Sequence, residues 1–112
     1  MKHYVVTCTL RIPIESVGED LLNQHLAMMQ KGYEEGYILL YGPLEPENGT
    51  LAIARVESPA ALGRALASDP LLAAGIASYD FREFIPIRFP SSLSGWVDPL
   101  GFHPRGGQEP GA

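Results

Sequence analysis

Leu22-Asn23-Gln24-His25-Leu26-Ala27-Met28-Met29 is the stretch from which the fold is read. Advancing about 100° per residue from Leu22, Leu26 falls at about 40°, Met29 at about 340° and Tyr33 at about 20°, one apolar stripe of an α-helix. His25 falls at about 300°, at the border of that stripe, where an imidazole can lie half against a sheet and half toward a cleft. Ser16, with Glu19 three residues on, has the form of a capping box. Gly36 suits a C-cap. A helix is therefore expected from about Val17 to Glu35.

Working outward, His3 to Leu10 is rich in β-branched and aromatic residues and reads as a strand with two coverable faces. Tyr37 to Tyr41 is short and continuously apolar, a second strand, which Gly42-Pro43 is expected to end sharply. Asn48-Gly49 marks a turn, and Thr50 to Glu57 is a third strand in a hairpin with a long loop. Ser58-Pro59 starts a second helix, with Ser as N-cap and Pro at the first helical position. Pro70 interrupts it, and Leu71 to Ala74 forms a short turn that closes at Gly75. Ser78 to Ile87 is the last strand, with Pro86 at its end or at an edge.

The order strand, helix, strand, strand, helix, strand is the ferredoxin-like plan. It predicts an α+β fold: an antiparallel four-stranded sheet with both helices on one face. Three strands carry apolar residues on both faces, so the helix-free face needs cover. A second copy of the chain, a homodimer, is the simplest one.

The chain has 112 residues, 46% hydrophobic and 19% charged, with a formal charge of −5. This is the size and make-up of one globular domain, expected over residues 1–87. Residues 88–112 hold nine Gly or Pro among 25 and read as an irregular arm that docks aromatics such as Trp96 on the body or a partner. Its last stretch, from His103, is expected to be disordered. The acidic balance and the lack of a basic run argue against nucleic acid or an anionic membrane surface. No apolar run is long enough for a membrane span and no signal sequence is evident, so a cytoplasmic location is expected. The single cysteine, Cys8, makes no intrachain disulfide and reads as a small buried residue.

Two residues stand out for chemistry. His25 is a natural base at neutral pH if it lines a cleft, since a free imidazole titrates near about 6.5. Asp69 precedes Pro70, so N-capping the short turn is a sufficient role. The sharper role is a hydrogen bond from its carboxylate to His25, which would orient the ring. Its two oxygens allow both. Gly42-Pro43 reads as a turn, or as close backbone approach to a ligand at a strand end. Glu45 and Glu47 read as solvated loop acids. No phosphate loop or metal-ligand spacing is present, so neither cofactor nor metal is expected.

Three segments together resemble the YciI-like (YCII-related) family: Gln24-His25-Leu26, Leu40-Tyr41-Gly42-Pro43-Leu44, and Ser68 to Ile76 with its Asp69-Pro70. The resemblance covers about Tyr4 to Ile87. It implies a ferredoxin-like dimeric α/β barrel with an active site around His25 and Asp69, near Gly42 and Pro43. Some relatives look like lyases, such as a dehydrochlorinase acting on chlorinated aromatics, and the wider fold group includes a muconolactone isomerase. One departure stands out. Many members carry an Arg three residues before the helix His, where this chain has Leu22. Arg11 is the candidate to replace it in holding substrate.

Three functional readings follow. The leading one is a small cofactor-independent enzyme, a lyase or isomerase, moving a proton on a small cyclic or aromatic substrate with a His25-Asp69 pair. The alternative is a non-catalytic dimeric module that binds a small ligand or assists another protein. The third is a structural dimer partner whose arm drives assembly.

Overall fold

The computed structural model describes residues 1–45 and 48–97. Strand β1 (Lys2–Leu10) leads through a 3-10 turn (Ile14–Ser16) into helix α1 (Glu19–Glu35). Strands β2 (Ile38–Pro43) and β3 (Gly49–Val56) follow, then helices α2 (Pro59–Leu66) and α3 (Pro70–Ala73) and strand β4 (Ala77–Phe84). The sheet order is β2-β3-β1-β4, and each strand pairs antiparallel to its neighbours. This is the ferredoxin-like α+β arrangement.

Register assigns the faces. Tyr4 pairs with Ala54, Val6 with Ala52 and Cys8 with Tyr79. Strand alternation therefore puts Tyr4, Val6 and Cys8 on the helix side. There they meet Met29 of α1 and Leu62 of α2, and Leu71 of α3 joins Cys8 in a second cluster. Leu62 and Leu71 are each only 1% exposed, and burying such a side chain contributes about 1.5–3 kcal/mol. On the other face lie Val5, Thr7, Leu51 and Ile53, which no helix covers. A β-bulge between Ile38 and Leu40 keeps Ile38 opposite Ala54 but sets Leu40 opposite Ile53. Leu40 consequently points to the helix-free side and is exposed.

Local signals explain most boundaries. Ser58 accepts a hydrogen bond from the Ala61 N–H with Pro59 behind it. Gly36 adopts φ 89° and its N–H closes α1 on Gly32 and Tyr33, and Gly75, φ 76°, follows α3. Two expectations need correction. Ser16 does not cap α1. Pro13 opens a 3-10 turn in which Ser16 and Val17 bond back to Pro13 and Ile14. The helix therefore starts later, with Gly18 as N-cap and no side-chain cap. Gly42-Pro43 does not end β2 either, because the strand runs through both, Pro43 opposite Thr50. β2 is an edge strand, where the missing proline N–H costs no ladder bond.

Beyond β4 the arm folds back. Trp96 packs edge-on against His3, ring centroids 5.5 Å apart, and lies under the Arg55 guanidinium. Its indole N–H donates to the Gly36 carbonyl at 2.8 Å. The residues from His103 onward lie outside the described residues.

Candidate active site

His25 is not at a border. It is 3% exposed, and it shares the buried side of α1 with Met29 and Gly32, whereas Leu26 and Tyr33 face out at 44% and 53%. Gly32 explains the roll. A Cβ there would come within 2.6 Å of Ile38 Cδ1 and 2.7 Å of the Tyr37 ring. Lacking one, the helix settles onto β2 at Gly32, which swings His25 inward and Leu26 and Tyr33 outward.

Asp69 meets it from the N-terminus of α3. The carboxylate is fully buried and both of its roles are present. Oδ1 accepts from the Leu71 N–H at 2.9 Å, the N-cap bond. Oδ2 lies 2.8 Å from His25 Nδ1 and also accepts from the Tyr79 hydroxyl. Burial by itself would raise the Asp69 pKa. The bonds from His25, Tyr79 and Leu71 outweigh it, and the carboxyl is held below its ordinary 3.8. An ionised carboxylate only accepts, so the shared proton sits on Nδ1. Nε2 of the neutral ring is then the basic nitrogen, the tautomer that a general base needs.

His25 lines a cleft of about 300 Å³. Gly42 and Pro43 form part of its wall, so three of the elements singled out in the sequence converge here. A Cβ on Gly42 would meet nothing within 4 Å. Gly49, also in the wall, differs: a Cβ there would stand 2.1 Å from the Cys8 carbonyl oxygen, so β3 and β1 approach through a glycine. Arg11 is not among the cleft residues. It lines a neighbouring open groove with Glu15 and Glu45, which shares Leu10 and Ile14 with the cleft wall. Glu47 lies outside the described residues.

A comparison with known families matches the YCII-related domain over residues 3–85. The chain belongs to the YCII-related family. Among solved structures it is similar to 5-chloro-2-hydroxyhydroquinone dehydrochlorinase from Burkholderia phenoliruptrix, in complex with 2,5-dihydroxybenzoquinone. The TM-score is 0.61 at 18% identity, over 73% of this chain and 92% of that one. At that identity the likeness is one of fold. No match is found among curated protein sequences.

On this member of the YCII-related family, sequence reasoning missed Tyr79, which bonds the same Asp69 oxygen as His25. The available signal was alternation: Tyr79 and Phe81 fall on one face of the last strand. The register that sets Tyr79 beside Cys8 was not readable. Cys8 also reaches the cleft. Burial pushes its thiol pKa up, opposed by a hydrogen bond with Tyr79, so it stays a protonated thiol at neutral pH.

Proposed function

We propose that this chain is a small-molecule enzyme of lyase or isomerase type, in which His25 moves a proton on a small cyclic or aromatic substrate. One observation carries the reading. A buried carboxylate holds Nδ1 of a histidine that lines a cleft large enough for a single ring. Asp69 orients the ring and stabilises the imidazolium that forms when Nε2 takes a proton. Elimination and isomerisation each need a base at one carbon. Isomerisation returns the proton from the imidazolium to another carbon. Elimination forms a double bond from the C–H pair as the leaving group departs with its own, the proton passing from His25 to solvent. The apolar walls keep water from the reacting face. The fold neighbour's dehydrochlorinase activity on a hydroquinone supports the lyase form.

The test is turnover on a panel of halogenated and unsaturated cyclic compounds. His25→Ala is expected to abolish the turnover found, and Asp69→Asn to reduce it steeply. Unchanged rates in both would defeat the reading. The second reading, a ligand-binding module, rests on the cleft offering one base and no opposing carboxyl side chain on its described walls. It predicts ligand-dependent stabilisation without turnover.

The chain is proposed to act as a homodimer through its helix-free face. Leu40, 53% exposed, and the half-buried Val5, Leu51 and Ile53 give that face its apolar surface.

A further inference from the structure

We infer that the cleft selects uncharged rings and rejects rings bearing a carboxylate. The inference rests on the site proposed above and concerns what enters it. Its walls are Leu10, Ile14, Leu22, Leu26, Pro43 and Leu71, with polar atoms only at His25, Cys8, Thr50, Tyr41 and the backbone. Among the described residues no lysine or arginine lines it, and several of the cations are engaged elsewhere. Lys2 pairs with Glu83 and Lys31 with Glu35. Arg55 is held by Trp96 on the helix-free face, and Arg11 lies in the neighbouring groove.

The charge nearest the base is negative. Asp69 is fully buried directly behind His25 and is held ionised by three donors. A carboxylate entering the cleft would lose its hydration to alkyl walls and would face that field, with no cation to offset either cost. Proton transfer to His25 makes the pair neutral overall, so even then an anion gains little. A neutral ring has no such penalty. It needs only an acidic O–H or C–H for Nε2, and the apolar walls favour the remainder of its surface. The polar groups on the walls are partly engaged already: the Tyr41 hydroxyl bonds Gln30 at 3.3 Å. Discrimination here therefore arises from an absent cation more than from a present contact, which is specificity by exclusion.

Leu22 is the position that decides it. It stands one helical turn before His25 and lines the same cleft, so a cation there would project beside the base. Leu26, at the exposed mouth, is a second position where a charged side chain fits without entering the core.

The experiment compares para-cresol with para-hydroxybenzoate at neutral pH, two phenols of similar size that differ by a methyl against a carboxylate. Binding is followed by two-dimensional NMR of the whole chain, with His25 and Thr50 as reporters. The cresol is expected to bind at least about ten-fold more tightly. Leu22→Arg and the more conservative Leu26→Arg are each expected to erase or reverse that preference. Equal or tighter binding of para-hydroxybenzoate by the unchanged chain overturns the inference. So does a preference that neither arginine variant alters, or the absence of binding by both rings. Cresol preference without turnover of any cyclic compound keeps the inference and removes the enzyme reading instead.

Discussion

His25 Nδ1 and Asp69 Oδ2 lie 2.8 Å apart across forty-four residues of sequence, both side chains withdrawn from solvent. The pair joins the middle of α1 to the N-cap of α3. Asp69→Asn keeps a side-chain oxygen for the Leu71 N–H but removes the charge. An amide can also donate to Nδ1, which would move the ring proton to Nε2, the wrong tautomer for a base. Turnover is expected to fall about 10³–10⁴-fold, by analogy with triad-type sites. Nitrogen-15 NMR of His25 is expected to show the proton on Nδ1 in the parent chain and on Nε2 in the variant.

Tyr79→Phe removes one donor from the same oxygen and leaves the ring in place. Hydrogen bonds to a charged acceptor contribute about 1.5–3 kcal/mol, so urea denaturation is expected to show a loss of that order. A loss below about 0.5 kcal/mol would mean that Tyr79 does not support Asp69.

How much of this was readable in advance depends on distance along the chain. Local chemistry was legible: Ser58-Pro59 capped its helix, Gly36 closed α1, and Asp69-Pro70 opened α3. Strand order followed from the alternation of elements. Two local signals misled, Ser16 as a cap and Gly42-Pro43 as a strand end; the other departures were matters of how elements settle on one another. The apolar stripe through Leu22, Leu26, Met29 and Tyr33 placed His25 at a border because periodicity ranks side chains by polarity. The packing at Gly32 turned the helix by its absent side chain, which polarity does not register. Tyr79 was invisible for a similar reason, since its role depends on a strand register fixed only in three dimensions. Arg11 lines a groove that shares Leu10 and Ile14 with the cleft, a placement set by which way one connection turns.

Acid stability tests the state of Asp69. Its folded pKa is depressed, so between the unfolded and folded values the unfolded chain binds more protons. Its contribution is therefore full above the unfolded value of about 3.9 and is lost as pH falls through the folded one. Stability from pH 5 downward is expected to fall less steeply in Asp69→Asn than in the parent chain. Parallel curves would show that Asp69 is not held ionised by its donors.

Two glycines in the cleft wall are expected to respond oppositely. Gly49→Ala forces a Cβ to within 2.1 Å of a backbone oxygen that cannot move aside. The loss is expected to be about 1–3 kcal/mol or more. Gly42→Ala meets nothing, so its thermal midpoint is expected to stay close to the parent, within about 0.5 kcal/mol of stability. Gly42 lies opposite Leu51, so the added methyl points to the helix-free face rather than into the cleft, and ring binding is expected to stay unchanged by NMR titration. Weakened binding would show that the methyl reaches the ligand.

The helix-free face gives the last prediction, because its two ends are not equivalent. Trp96 already occupies one end, packed on His3 and Arg55. In the proposed dimer a partner copy would seat on the rest, around Leu40, Leu51 and Ile53. A stable interface buries about 800 Å² on each side, which those residues can supply only if the apolar patch is unbroken. Ile53→Arg places a charge at its middle and is expected to convert a dimer into a monomer in sedimentation velocity, with the fold retained. Trp96→Ala is expected to lower the thermal midpoint but leave the dimer intact, since the indole bonds its own chain at Gly36. The opposite pattern, assembly lost with Trp96 and kept with Ile53→Arg, would move the interface from the sheet to the arm.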